Sequence, residues 1–452
     1  MPRRPAVLAA AVAIVVLAGG VAWAVLRGGE PDCGIRTDAL DSDQPVFVGR
    51  AALVPSGSVG AEREPLVRAA DALPAPFGEV VSGRFFGDQD RVPQLVGDGD
   101  AVVLAEPPGR PGGPTTLREV EPPEGEVRWA RTLVGGAASG GPVGDRFVVA
   151  VGGADPTLLT VDSVSGKLLG CHDVPVAGGT GAVTVRTDQA GSDVVLVAGR
   201  DGSPASGSTL SVVDPEDGTV RLRTTLPAPD EVASVSAVGG HAVVSRVGHD
   251  PVRLAELARR GGIPRPMVTA YSLEDGKPDW THPRSADPGT AAAVMDSDPR
   301  TGETYVLTVT GRGAPTSALV ALDADGRTTW TKPLGPGFWD ATLSGDLLLV
   351  QGPDQAGGVL LRALHRDDGS SAWTLHTRDY PGPRQALQRF GPATEVGGRL
   401  VMTTPGGLVL VDPTSGEATA VRTSLRVDQV LPVGDHVLLR SGEALLVLDL
   451  DA

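Results

Sequence analysis

Lysine is almost missing from this chain of 452 residues: it occurs only at Lys167, Lys277 and Lys332, and every other basic residue is arginine. Acidic side chains outnumber basic ones, 55 to 39, giving a formal charge of −16. That balance argues against nucleic acid as a partner, because its phosphates would be repelled rather than neutralised. Aromatic residues amount to 4%, so Val, Leu and Ala must supply most of any core. Cysteine is limited to Cys33 and Cys171, too far apart for a C-x-x-C metal site. The histidines (His172, His241, His249, His282, His365, His376 and His436) never reach the spacing of an H-E-x-x-H zinc helix and read as surface or rim residues. There is no G-x-S-x-G elbow and no phosphate-binding P-loop. Gly178-Gly179-Thr180-Gly181 lacks the later glycine and the helix of a dinucleotide site and reads as a loop. No catalytic constellation emerges.

What the chain has in quantity is turns. Gly 61 and Pro 39 fall between short apolar runs, while 41% hydrophobic and 21% charged residues suit a globular protein. Leu158-Leu159-Thr160-Val161-Asp162-Ser163-Val164-Ser165-Gly166-Lys167-Leu168 reads as strand, tight turn, strand, and the same pattern returns at 319–330 and 408–417. The turn glycine recurs at Gly125, Gly166, Gly218, Gly276, Gly326, Gly369 and Gly416, at intervals of 41 to 58 residues, the range of propeller blades. Asp, Ser or Glu precedes it each time, a side chain able to bond the turn backbone while glycine supplies positive φ. Trp129, Trp280, Trp330 and Trp373 stand four residues beyond their glycines, where the other units have Gly170, Leu222 and Ala420.

Upstream of each turn lies another hairpin, as at 142–151, 343–350 and 396–403, so that one unit is a four-stranded antiparallel blade. After Gly416 the chain has three more strands, near 430–433, 436–440 and 445–449, and then ends. A strand near the amino terminus, with Pro45 to Val48 as candidate, would complete an eighth blade and remove an exposed sheet edge. The expected fold is therefore all-β, an eight-bladed β-propeller with seven blades as the alternative, covering residues 91–452.

Two segments precede it. Residues 1–27 read as a cytoplasmic tip and a transmembrane signal-anchor: Arg3 and Arg4 precede an uncharged run from Ala6 to Leu26, and Arg27 closes it. Its 21 residues at about 1.5 Å each would span roughly 30 Å, a bilayer's hydrocarbon core. The positive-inside tendency places everything after Gly28 outside the cytoplasm, in the cell envelope. The alternative is secretion after cleavage at Ala22-Trp23-Ala24. Residues 28–90 read as a linker, the candidate ring-closing strand and a short amphipathic helix within 59–73, carrying Leu66, Ala69, Ala70 and Leu73.

Outside the cytoplasm, Cys33 and Cys171 become a candidate disulfide tying this stalk to a blade, the alternative being two separate thiols. Residues 250–260 read as an inserted helix, and Arg259, Arg260 and Arg265 make it a basic spot on an acidic protein. It is either a loop helix packed on the rim or a contact site for an acidic partner or substrate. Asp38, Asp41 and Asp43, then Asp88 and Asp90, then Asp296 and Asp298 form acidic clusters that suit either turns or calcium, none with an EF-hand pattern.

Over residues 91–452 the chain resembles the pyrroloquinoline-quinone-like (PQQ-like) propeller repeat family, whose repeat runs approximately Ala-x-Asp-x-x-Thr-Gly-Lys-x-x-Trp. Val161-Asp162-Ser163-Val164-Ser165-Gly166-Lys167 is the nearest match, and Ala321-Leu322-Asp323-Ala324-Asp325-Gly326 with Trp330 is a shortened one. The resemblance implies a structural motif in which the Trp (here Trp129, Trp280, Trp330 and Trp373) packs between blades. It includes quinoprotein dehydrogenases, which carry a vicinal Cys-Cys disulfide and a calcium or lanthanide, and non-enzymatic envelope assembly factors. With no adjacent cysteines, this chain is expected to be similar to the latter: a membrane-anchored binding or scaffold module with no catalytic, cofactor or metal residues, whose partner is a protein or envelope ligand. The alternative is a quinoprotein-type dehydrogenase.

Overall fold

The computed structural model describes residues 45–50, 63–86, 94–98, 101–106, 115–133, 137–151, 157–173, 183–187, 195–200, 208–226, 233–247, 251–260, 267–283, 289–311, 316–335, 337–338, 340–356, 358–376, 390–404, 407–423, 425–442 and 444–450. The membrane segment, Cys33, the acidic groups at 38–43 and 88–90, Gly178-Gly179-Thr180-Gly181, His249 and Arg265 lie outside the described residues. No described helix is long and apolar enough to cross a membrane.

The described strands form eight antiparallel sheets, seven of four strands and one of five. In chain order, sheet 1 covers residues 94–133, sheet 2 137–173, sheet 3 183–226, sheet 4 234–282, sheet 5 290–333, sheet 6 340–376, sheet 7 394–422 and sheet 8 427–450. Within each of sheets 1 to 7 the strands follow one another in sequence order, as expected of hairpins joined by tight turns. The first strands of sheets 1 to 6 lie side by side in succession, and those of sheets 7, 8 and 1 do the same. This is a β-propeller, with first strands at the axis and fourth strands at the rim.

Burial follows position in the blade. The second strand of sheet 6, Leu347–Pro353, is buried at six consecutive residues because neighbouring sheets cover both of its faces. The fourth strand of sheet 5, Thr328–Pro333, buries only Trp330. Near the axis, where sheets converge and space is least, the first strand of sheet 5 carries Ala291, Ala292 and Ala293, all fully buried. These alanines belong to a continuous apolar cluster with Trp280, Tyr305, Leu319 and Leu348, which welds sheets 4, 5 and 6 into one core.

Ring closure differs from the sequence expectation. The strand that completes sheet 8 is Phe77–Phe85, antiparallel to Ala444–Leu450, with Phe77 opposite Leu450 and Gly83 opposite Leu446. Val48–Gly49, the end of the expected strand, pairs with Phe77–Phe85 as a fifth, outermost strand. The longer strand closes the ring because it offers apolar residues on both faces: Val80 enters the core shared by sheets 7 and 8, while Val81 packs with Val46, Phe47 and sheet 1. The residues assigned to a junction are thus partly propeller. Helix α1, Arg63–Asp71, occupies the middle of the expected 59–73 segment and buries Val67 and Ala70, with Leu73 just beyond, against Phe77 and Val80. The insertion in sheet 4 is helix α2, Pro251–Arg259.

Candidate functional site

Two features concentrate the sequence's unusual residues: the docking of each sheet on the next, and the polar and basic groups around sheets 4 to 6. Docking uses the turn between the third and fourth strands. In sheet 2 this turn places Gly166 at φ 64°, where a Cβ would lie 2.2 Å from Cγ of Trp129 on the fourth strand of sheet 1. Only a residue without a side chain can bring its backbone onto the ring face in that conformation. The indole's one polar atom is satisfied by the same turn: Trp129 Nε1–H donates to the Ser163 carbonyl at 2.9 Å. Trp280 donates to Ala324 at 2.9 Å, Trp330 to Arg366 at 2.6 Å and Trp373 to Pro413 at 3.1 Å, each beneath the glycine turn of the following sheet.

Junctions without Trp use other residues. Leu222 lies beneath Gly276, at the position its spacing from Gly218 indicated. At sheet 2 that spacing marks Gly170, yet the side chain beneath Gly218 is His172, two residues on and on the same face of the strand. Gly170 leaves the room: a Cβ there would lie 2.7 Å from His172 Nε2. At the seam, Phe47 sits under Gly125, the Val46 N–H donates to the Gly125 carbonyl at 2.7 Å, and Ser82 Oγ donates to the Pro123 carbonyl. Sequence spacing could not find Phe47 or His172, since neither stands at the repeat offset.

The turn residues of the repeat are consumed locally. Asp162 accepts from the Ser165 N–H and the Ser165 hydroxyl, both at 2.6 Å, and these bonds hold its carboxyl below the usual range. Asp412 accepts from the Thr414 and Ser415 N–H groups and is shifted the same way.

Asp296 and Asp298 come close together at sheets 5 and 6, but protein donors occupy both. Asp298, fully buried, is paired with Arg366 at 2.5 Å and accepts from the Arg300 N–H and the Thr301 hydroxyl. Asp296 accepts from the Leu343 N–H at 2.6 Å and from the Ser297 N–H; burial nevertheless pushes its carboxyl up. Beside them Tyr305 donates to Glu303 at 3.0 Å, and burial raises its phenol far above the ordinary value. In sheet 1, Glu119 is likewise raised by burial, against the pull of Arg128 at 3.2 Å. Among the described residues, no three His, Cys, Asp or Glu side chains are placed to hold a metal ion. The histidines are scattered: His241 pairs with Asp279, His376 with Asp354 and His436 with Asp449, in sheets 4, 6 and 8.

Helix α2 lies where sheet 4 meets sheet 5. Leu254 and Ala258 are fully buried in the apolar core, beside Val247 and Met267. The flanking strands reach the inner edge of sheet 5: Met267 Sδ accepts from the Ala292 N–H at 3.0 Å, and Ser245 Oγ from the Val294 N–H at 3.3 Å. The outward face carries Val252, Arg253, Arg259 and Arg260, all exposed. Cys171, on the outermost strand of sheet 2, is in a disulfide.

The family described as outer membrane protein assembly factor BamB matches residues 264–429. No curated protein matches the chain. Among solved structures, Sqt1 from Saccharomyces cerevisiae is similar with a TM-score of 0.53 at 11% identity, covering 81% of this chain and 98% of its own. The quinohemoprotein alcohol dehydrogenase from Comamonas testosteroni gives 0.50 at 10% identity, with 82% and 77% covered. BamB from Moraxella catarrhalis gives 0.49 at 15% identity, with 82% and 97% covered. At such identities the structural likeness concerns the fold alone. Glycine turns seated on indoles, the Asp-containing repeat that builds them and the family match over residues 264–429 support the PQQ-like β-propeller repeat in this chain.

Proposed function

We propose that the protein is an eight-bladed propeller that binds a protein or cell-envelope ligand outside the cytoplasm and performs no catalysis. The observation that carries this reading is the use of the repeat residues. The Asp, Gly and Trp positions of the repeat are used here in turn bonding and sheet docking, so the resemblance they carry accounts for architecture. A quinone site of the dehydrogenase kind does not fit these residues. The two cysteines are not adjacent in sequence, Cys171 lies on an outermost strand, and Asp298 is committed to Arg366.

Eight sheets, with the first strands of sheets 8 and 1 in contact, support the blade count. The apolar run 6–26 supports a single-pass anchor, with release after Ala22-Trp23-Ala24 as the alternative. Oxidised Cys171 supports an oxidising compartment, and Cys33 is the one other cysteine in the sequence. Peptide mapping under non-reducing conditions should recover Cys33 joined to Cys171; recovery of intermolecular pairs would remove the tether.

Crosslinking in intact cells followed by mass spectrometry tests the binding reading, with a recurrent specific partner expected. In a parallel assay the purified chain is given pyrroloquinoline quinone and calcium. Stoichiometric chromophore binding with dye reduction would replace the binding module by a dehydrogenase.

A further inference from the structure

Among the described residues three large hydrophobic side chains are exposed, and two of them share one hairpin: Val164 at 67% and Leu169 at 43%, between the third and fourth strands of sheet 2. Leu169 is the extra residue of a bulge. Leu168 faces Val161 and Gly170 faces Thr160, so Leu169 stands opposite no residue of the neighbouring strand and is turned outward. The same bulge recurs in sheets 1, 3, 4, 5 and 6, with Arg128, Arg221, Asp279, Thr329 and Ala372 as the extra residue. Val164 stands two residues before its turn glycine, where none of the other six turns has Val, Leu or Ile. Sheet 2 alone puts a large aliphatic residue at both outward positions of this repeated hairpin.

A second feature singles out the same hairpin. Cys171, two residues beyond Leu169, is in a disulfide, and Cys33 is the one other cysteine in the sequence. Cys33 follows Leu26, the end of the apolar run, by seven residues, a length that spans at most about 25 Å. Paired within the chain, the two cysteines hold the outermost strand of sheet 2 within that distance of the run.

We infer that this hairpin is the membrane-facing surface of the propeller, with Val164 and Leu169 dipping into the interface of a zwitterionic phospholipid bilayer. The inference rests on the single-pass anchor and the Cys33–Cys171 pairing proposed above, and adds the orientation of the ring and its lipid contact. Two aliphatic side chains bind a bilayer weakly by themselves. The anchor makes the contact intramolecular, so a weak contact suffices to orient the ring. Lys167, exposed between them, suits the interface, with its stem along the apolar layer and its ammonium group at the phosphates. Asp145 and Glu216, exposed on either side of Arg146, would be repelled by a strongly anionic surface, which favours zwitterionic lipid. A folded protein partner fits less well: a domain of about 100 residues has a radius of gyration of about 13 Å and is wider than the tether is long. In a ring of eight sheets, sheet 6 lies opposite sheet 2, so its rim is turned away from the bilayer.

The test uses the full chain reconstituted in phosphatidylcholine vesicles that contain a photoreactive phosphatidylcholine. After irradiation and digestion, mass spectrometry locates the lipid adducts. They should concentrate on residues 161–173, roughly fivefold or more above the matching hairpin of sheet 6, residues 363–375, because only the first hairpin meets the interface. The variant V164S/L169S should lose most of these adducts with an unchanged melting temperature, since both side chains are exposed. Cys33→Ser should stay in the vesicles and spread its adducts over several hairpins. Equal labelling of the two hairpins, or labelling that V164S/L169S leaves unchanged, would overturn the inference. So would crosslinks from residues 164–169 to a second copy, or to residues 34–44, in place of lipid. Flotation separates this inference from the reading beneath it. A chain that floats with the vesicles and carries no adducts on the hairpin ends the inference alone. A chain that does not float, or whose Cys171 bonds to another copy, removes the anchor or the tether as well.

Discussion

Sheets 4 to 6 and sheets 8 to 3 solve the same junction problem with different residues. In the first arc Trp280, Trp330 and Trp373 each seat the next turn and donate one hydrogen bond to it. In the second, Phe47, His172 and Leu222 stand at three of the four junctions, and none repeats the indole bond. The weaker arc has other supports. A fifth strand and the Ser82 bond reinforce the seam, and the Cys171 disulfide lies one residue from His172. Two of the three junctions without an indole, at Phe47 and His172, thus carry a further local constraint.

The largest effect should come from the indole arc. Trp330→Ala removes a buried ring and its bond to Arg366 and should cost about 4 kcal/mol, against about 1–2 kcal/mol for His172→Ala, by the usual scale of large-to-small core changes. Urea titrations followed by far-ultraviolet circular dichroism would measure both; equal losses would erase the distinction between the arcs.

Reduction of the Cys171 disulfide comes next, at about 3 kcal/mol on the scale for native disulfides. Hydrogen exchange should localise the loosening to sheets 2 and 3 rather than 5 and 6. Uniform loosening would mean that the disulfide does not compensate for the missing indole.

Glycine substitutions sharpen the point at smaller scale. Gly326→Ala drives a methyl group into Trp280, where a Cβ would come within 2.5 Å, and should cost about 2–3 kcal/mol from positive φ and overpacking together. Gly240 has a similar φ of 77° but open space around its Cβ, so Gly240→Ala should cost about 1 kcal/mol from φ alone. Matching melting temperatures for the two variants would show that conformation, and not the ring contact, selects glycine in these turns.

The smallest predicted effect is electrostatic. Asp162 has a depressed folded-state pKa, so its contribution is present above the ordinary aspartate range near 3.9 and is lost as pH falls through the folded value. Asp162→Ala should therefore cost about 1 kcal/mol at pH 7, with the difference from wild type shrinking below about pH 4. Glu119 and Asp296 run the other way. Burial raises them, so both favour the proton in the fold and weaken stability as pH rises through their folded values. Charge-neutral Glu119→Gln should flatten that part of the pH–stability curve, and an unaltered curve would contradict the assignment of the slope to Glu119.

Much of this architecture is legible in the sequence because it is local. The turn glycines, their preceding polar residues and the hairpins upstream are set by φ preferences and strand alternation within a dozen residues, and the strands at 142–151, 343–350 and 396–403 stand where that pattern indicates. Helix α1 is also visible from its apolar spacing, and helix α2 as a short insertion stopped by Gly261-Gly262. The sequence reading offers Pro45 to Val48 as the closing strand, whereas Phe77–Phe85 takes that place. Choosing between them depends on which one meets Ala444–Leu450, a contact more than 350 residues away in sequence. The calcium alternative at Asp296 and Asp298 likewise turned on Arg366 and the Leu343 N–H, neither near them in the chain.

The sequence by itself determined the repeat, the all-β class and the type of turn, because those follow from the conformational preferences of a few adjacent residues. Only the tertiary structure decided which side chain fills the junctions that leave the repeat offset: Phe47 and His172 take the place of an indole through sheet-to-sheet proximity, which depends on how the ring closes and not on any spacing along the chain.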